Sequence, residues 1–193
     1  MAARVDEKAM PMPTPFDEPP AYGEAATPAA GHRVPLIASQ AFPSTELVGP
    51  APFQDLAGEP VWIASVILAN EVTPGKACPH LPGVARWCWG GREMHDSVAA
   101  VRFDVLPLTS AMEWVPARDG KLPKGRRPVE GGYERDGRQL YHAIGTVSVA
   151  DPAGPKTITI PGKTGEHLKS ASFAYGGREL VMREGYSILV WRD

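Results

Sequence analysis

Part of this chain is written twice. Thr73-Pro74-Gly75-Lys76 returns as Ile160-Pro161-Gly162-Lys163, 87 residues on, and His80-Leu81 returns as His167-Leu168 at the same distance. Gly90-Gly91-Arg92-Glu93 returns as Gly176-Gly177-Arg178-Glu179 at a distance of 86. Upstream, Val61-Trp62-Ile63-Ala64 answers Leu140-Tyr141-His142-Ala143 at 79; downstream, Phe103-Asp104-Val105-Leu106 answers Tyr186-Ser187-Ile188-Leu189 at 83. The matches keep their order. The step from 79 to 87 places an eight-residue insertion in the second copy, around Asp151-Pro152-Ala153-Gly154. A unit that cannot bury its apolar face alone buries it against its neighbour. Any site that one copy builds should therefore recur in the other, altered where the copies differ.

The repeated unit reads as β structure. The chain has 20 glycines and 21 prolines in 193 residues, roughly twice average usage, which argues against long helices. Its clearest apolar runs are Val61–Ala69, Val84–Trp89, Val98–Leu106, Gln139–Val149, Thr157–Ile160, Ala171–Tyr175 and Tyr186–Trp191. Turn pairs such as Pro74-Gly75, Gly90-Gly91, Gly131-Gly132, Pro161-Gly162 and Gly176-Gly177 lie between them. Short strands punctuated in this way define an antiparallel sheet protein. The expected fold is all-β: two tandem, pseudo-twofold-related antiparallel β repeats, residues 32–107 and 108–193, packed as one domain. Residues 1–31 hold six prolines and many alanines. They carry too little apolar surface to offset their ordering entropy, so a flexible tail is expected there.

Charge and cysteine usage narrow the function classes. A net charge of −2 gives no electrostatic footprint for nucleic acid. The longest apolar run, Val61–Ala69, is too short for a transmembrane helix. The first residues lack a basic stretch followed by an apolar core, and two cysteines make no disulfide framework. The expected location is the cytoplasm, or outside the cell after release without a signal peptide.

Each copy carries Pro-Gly-Lys, read as a type II turn with glycine supplying a positive φ and the lysine held at its exit. An acidic residue precedes the strong strand in both copies, Asp55 in the first and Glu134 in the second. If that strand pairs with the one entering the turn, carboxylate and ammonium come near one another. A donor beside an acceptor can hold vicinal sugar hydroxyls. The plainer reading is a surface ion pair of little energetic consequence.

Pro-Gly-Lys, a short strand, Gly-Gly-Arg-Glu and an aromatic-x-Val/Ile-Leu ending together resemble the DM-nine repeat. So do Glu113-Trp114-Val115-Pro116-Ala117-Arg118-Asp119-Gly120-Lys121-Leu122-Pro123, Gly131-Gly132-Tyr133-Glu134 and Gln139-Leu140-Tyr141. That repeat occurs in pairs in mannose-binding lectins of invertebrate immunity and in the N-terminal part of natterin-type toxins. The resemblance runs from about residue 33 to the end of the chain. It implies intertwined β repeats that bind mannose-type glycans without calcium, as a homodimer. It also implies that Asp55 and Lys76 bind sugar in the first copy, and Glu134 and Lys163 in the second. Glu134 departs from the family's aspartate by one methylene, and the stretch Val34 to Pro52 lacks the segment that Trp114 leads in the second copy.

Other constellations carry less. Ile160-Pro161-Gly162-Lys163-Thr164 lacks the earlier glycine of a phosphate-binding loop, Thr157 standing in its place, and lacks a following helix. Cys78, His80, Cys88 and His95 lack the spacing of zinc ligands, so no metal and no cofactor is expected. Trp87 and Trp89 share one face of a strand and are expected in the core, with sugar stacking as the alternative. Lys121, Lys124, Arg126 and Arg127 read as a solvated loop. Pro19-Pro20-Ala21-Tyr22 has the form that WW domains bind, so Pro19, Pro20 and Tyr22 mark a candidate partner site. With no repeated acid–base pair and no nucleophilic triad, the reading is a carbohydrate-binding protein rather than an enzyme. Its rival is an interaction or trafficking module with a vestigial sugar site, recruiting partners through its tail.

Overall fold

The structure, a computed structural model, describes residues 30–95, 101–150 and 154–192. The expected tail lies outside these residues except for Ala30 and Gly31, and its Pro-Pro-x-Tyr motif lies wholly outside them. The first half contains β1 (Val34–Ile37), a helical turn at Thr45–Val48, β2 (Phe53–Gln54), β3 (Pro60–Ile67), β4 (Val72–Ala77), β5 (Ala85–Trp89), β6 (Arg92–His95) and β7 (Arg102–Val105). The second contains β8 (Met112–Ala117), β9 (Glu130–Tyr133), β10 (Gln139–Val149), β11 (Lys156–Gly165), a 3-10 turn at Glu166–Leu168, β12 (Ser170–Tyr175), β13 (Arg178–Met182) and β14 (Tyr186–Trp191).

The pairing order is the fold's main result. It runs β1-β7-β3-β4-β5-β6 in the first half and β8-β14-β10-β11-β12-β13 in the second, the same order shifted by seven strands. The halves join where β6 meets β13 at Arg92↔Arg178 and where β9, paired to β10, also meets β4 at Val72↔Tyr133. Strands β4, β5, β6, β13, β12, β11, β10 and β9 thereby close a ring, a β-barrel that leaves those strands no open edge. The fold is all-β and pseudo-twofold, as the internal repeats predict.

Burial follows the same plan. Trp62, Ala64, Val66, Phe103 and Val105 form a cluster in the first half, and Ala143, Ile160, Phe173, Tyr186 and Ile188 form its counterpart. A third cluster, with Ile63, Leu106, Met112, Leu189 and Trp191, fastens one half to the other. Each large apolar side chain taken from water contributes about 1.5–3 kcal/mol, so this shared cluster holds the repeats together.

The glycines divide into two kinds. Gly90-Gly91 and Gly176-Gly177 link β5 to β6 and β12 to β13 as two-residue loops, all four with φ between 60° and 81°. These are type I′ hairpins, the geometry that fits strand twist. Pro-Gly-Lys, by contrast, is not a turn. Thr73 to Lys76 lie inside β4 and Ile160 to Lys163 inside β11, with neither Gly75 nor Gly162 at positive φ. These glycines are required because a Cβ at Gly75 would stand 2.2 Å from the Arg86 carbonyl oxygen, and one at Gly162 would stand 2.2 Å from that of Ser172. Pro74 falls where β4 passes from its β5 neighbour to its β9 neighbour, so its missing N–H interrupts neither pairing. Gly131 and Gly132, also read as a turn, lie in β9, where the Val72 carbonyl oxygen would stand 2.0 Å from a Cβ on Gly132. The insertion in the second copy lengthens a hairpin: Val147↔Ile158, Ser148↔Thr157 and Val149↔Lys156 have no counterpart in β3 and β4.

Candidate functional site

Two cavities occupy equivalent places between the repeats. The first, about 400 Å³, is lined by Asp55, Val61, Lys76, Leu81 and Glu93 of the first half and by Ile158, Ile160, Tyr175 and Gly177 of the second. The second, about 360 Å³, exchanges these roles: Glu134, Arg135, Asp136, Arg138 and Lys163 come from the second half, and Glu71, Thr73 and Trp89 from the first. Asp55 thus shares a cavity with Lys76, and Glu134 shares one with Lys163. The premise behind that juxtaposition also holds, since β3 pairs with β4 through Ile63↔Lys76 and β10 with β11 through His142↔Lys163.

Neither carboxylate is bonded to its lysine: Asp55 is held by a histidine, and Glu134 lies beside one. Asp55 Oδ1 accepts the backbone N–H groups of Ala57 (2.8 Å) and Glu59 (2.9 Å), and Oδ2 meets His80 Nε2 at 2.8 Å. Burial opposes ionisation of Asp55, but those two N–H groups and His80 outweigh it and hold the carboxyl below its usual value. The second loop has the same backbone: Glu134 N donates to Arg138 O as Asp55 N donates to Glu59 O, both at 2.9 Å. Its side chains divide the roles differently. Asp136 Oδ1 now accepts the Arg138 N–H, while Glu134 Oε2 reaches outward to Arg138 Nη2 at 3.2 Å and lies 3.1 Å from His167 Nε2.

The lysines differ more. Lys76 is 7% exposed, and its ammonium crosses the repeat boundary to donate to the Ala174 carbonyl oxygen at 2.5 Å. It also lies 3.4 Å from Glu93 Oε1 and 5.7 Å over the Tyr175 ring. Burial, with the Asp55 and Glu93 carboxylates nearby, holds the Tyr175 phenol above its usual value, keeping it a neutral donor. Lys163 is 9% exposed. Among the described residues its ammonium has neither a hydrogen-bond acceptor nor an ion-pair partner, and it stands free in the second cavity.

A crossed pair of glutamates braces both cavities. Glu93 Oε2 accepts the Gly177 N–H, and Glu179 Oε2 accepts the Gly91 N–H, each at 2.8 Å. Each repeat therefore fixes the other's hairpin, and that hairpin forms part of its own cavity wall. The doubled His-Leu and Gly-Gly-Arg-Glu matches were the sequence signal for these histidines and glutamates, but a match alone gave them no role. Trp87 lies in the core as expected, whereas Trp89, at the end of the same strand, is 61% exposed. Cys78 lines the first cavity with its thiol pushed by burial to about 11, and burial pushes Cys88 to about 12, so both are protonated at neutral pH. No group of three His, Cys, Asp or Glu among the described residues is placed to hold a metal ion.

Paired β repeats with a polar cavity shared across each boundary define a ligand-binding module of duplicated type. The chain belongs to the DM9 repeat family, whose family model matches residues 55–182, about two thirds of the chain. This is a lectin-type, carbohydrate-binding family. No curated protein matches the chain. No helix among the described residues is long and apolar enough to cross a membrane.

Proposed function

We propose that this chain is a calcium-independent lectin for mannose-type glycans, binding through Asp55 and Lys76 in the first cavity and Glu134 and Lys163 in the second. The observation that carries this reading is that each repeat's carboxylate and lysine line one cavity, twice over, in equivalent places. An acceptor beside a donor matches vicinal hydroxyls, one giving and one taking a hydrogen bond. The same donor set argues for direct contact rather than a calcium bridge. Calcium takes six to eight oxygen ligands, and here a lysine ammonium shares each cavity with a carboxylate already turned to a histidine. The functional unit is the repeat pair, 32–107 with 108–193, because each cavity takes walls from both.

One shallow sugar site is weak: a millimolar constant corresponds to about −4 kcal/mol. Two sites per chain, doubled in a homodimer, supply useful avidity on a glycan surface. Titration calorimetry with mannose and mannobiose tests the reading on wild type, Lys76→Ala, Lys163→Ala and the double variant. Binding heat that survives a chelator and disappears in a folded double variant is the expected result. A wild type that binds no mannoside at tens of millimolar overturns it.

A further inference from the structure

An exposed tryptophan alone means little; the placement of Trp89 means more. The chain has five tryptophans. Trp62, Trp87 and Trp191 are buried and Trp114 is half-buried, leaving Trp89 the one with most of its surface in water. It lines the second cavity with Glu134 and Lys163. Its backbone is fixed by the pair Trp89↔Arg92 and by the turn that follows, whose Gly91 N–H is held by Glu179 while Gly91 O accepts the Glu179 N–H at 3.1 Å. An aromatic face presented on such a support is ordered before any ligand arrives, which lowers the entropic cost of binding.

The counterpart in the first cavity is Tyr175, and the comparison gives the inference its direction. Tyr175 is half-buried, with the Lys76 ammonium over its ring, and that ammonium is already committed to Ala174 and Glu93. In the second cavity both the aromatic face and the ammonium are free of partners among the described residues. We infer that the second cavity is the stronger sugar site of the two, and that Trp89 is its stacking platform. Its ligand is a neutral hexopyranose that lays the C–H groups of its ring on the indole while hydroxyls on its edge meet Lys163 and Glu134. The inference rests on the lectin reading and adds which site dominates and what part of the sugar it recognises: the ring as well as the hydroxyls.

Tryptophan emission and titration calorimetry test it, using methyl α-mannoside and open-chain mannitol on wild type, Trp89→Ala, Trp89→Phe and Tyr175→Ala. The mannoside should shift or quench wild-type emission, and mannitol, which has hydroxyls but no ring face, should not. Trp89→Ala should bind the mannoside about tenfold more weakly, with an unchanged melting temperature because the side chain is exposed. Trp89→Phe should keep most of the affinity, and Tyr175→Ala should leave the tighter component in place. If Trp89→Ala binds like wild type while Lys163→Ala does not, the platform is overturned and the lectin reading stands. If wild type binds neither mannoside nor any other hexoside, both fall together.

Discussion

The two cavities are one frame carrying two sets of side chains. The same hairpins, the same crossed glutamates and the same carboxylate–histidine contact appear in each, at positions 79 to 87 residues apart. The first cavity is closed in on itself: its lysine is bonded across the boundary, and its far wall is apolar Ile158 and Ile160. The second is open, with Glu71 and Thr73 on that wall and a lysine that has no partner among the described residues. A duplicated backbone leaves the copies free to differ wherever a side chain faces the cavity and holds them alike wherever two strands touch. What is equal between the repeats therefore marks the frame, and what is unequal marks the ligand side.

The strand contacts are the hardest part of this comparison to break. Gly75→Ala and Gly162→Ala should be the most damaging substitutions, each costing more than about 3 kcal/mol in urea unfolding, because a Cβ would meet a backbone carbonyl at 2.2 Å. Gly162→Ala should be the worse of the two, since Phe173 Cδ1 also stands 2.7 Å from the added atom. Gly90→Ala is the control. It meets nothing within 4 Å but has φ +60°, so only the left-handed strain remains, about 1–2 kcal/mol. Equal losses at Gly75 and Gly90 would mean that close approach is not what fixes glycine in β4.

This distinction is also where sequence reading stopped. Repetition made the frame legible: Gln139–Val149 and Tyr186–Trp191 stand as expected, and the acid and lysine of each copy share a cavity. Pro-Gly-Lys and Gly131-Gly132 were legible only as turns, because a glycine needed for positive φ and one needed for a neighbour's carbonyl are the same letter. Whether Trp89 is core or surface depends on where β5 ends relative to the other repeat, a tertiary fact that alternation cannot supply. His80 and His167 stood out as matches, yet only their 2.8 and 3.1 Å approaches to Asp55 and Glu134 give them work.

A second break concerns pH. Position 63 is isoleucine in the first repeat and its counterpart, His142, is fully buried in the second. His142 Nε2 faces Arg33 Nη2 at 2.9 Å and so acts as acceptor, while Nδ1 has no partner among the described residues. Burial first, and the Arg33 charge second, hold its pKa well below the usual value. The unfolded chain takes up a proton here below about pH 6.5 and the folded chain does not, so stability falls with pH from that point by up to about 1.4 kcal/mol per unit. His142→Ile, which makes the second repeat like the first, should flatten that limb. Arg33 Nη2 keeps its bond to the Glu130 carbonyl at 2.6 Å and Nη1 its 2.7 Å bridge to Asp104, so the N-terminal segment stays anchored. An unchanged slope between pH 6.5 and 5 in the variant would move the acid sensitivity elsewhere.

The smallest expected effect on stability separates the lysines. Lys76→Met removes the donor to Ala174 and leaves Glu93 Oε1 with Arg86 Nη1 alone, at 3.7 Å. It should lower stability by about 1–2 kcal/mol in chemical denaturation. Lys163→Met removes a largely buried cation that no described group pairs with, and replaces it with an unbranched apolar chain of similar reach. Its cost should stay within about 0.5 kcal/mol, because the desolvation it relieves offsets what little the ammonium contributed. The binding consequence runs the other way, with the larger loss of mannoside affinity at Lys163. A residue whose removal leaves the fold untouched and the ligand unbound is held in place for the ligand. Should Lys163→Met instead destabilise the chain as much as Lys76→Met, the ammonium belongs to the frame, and the contrast between a closed cavity and an open one disappears with it.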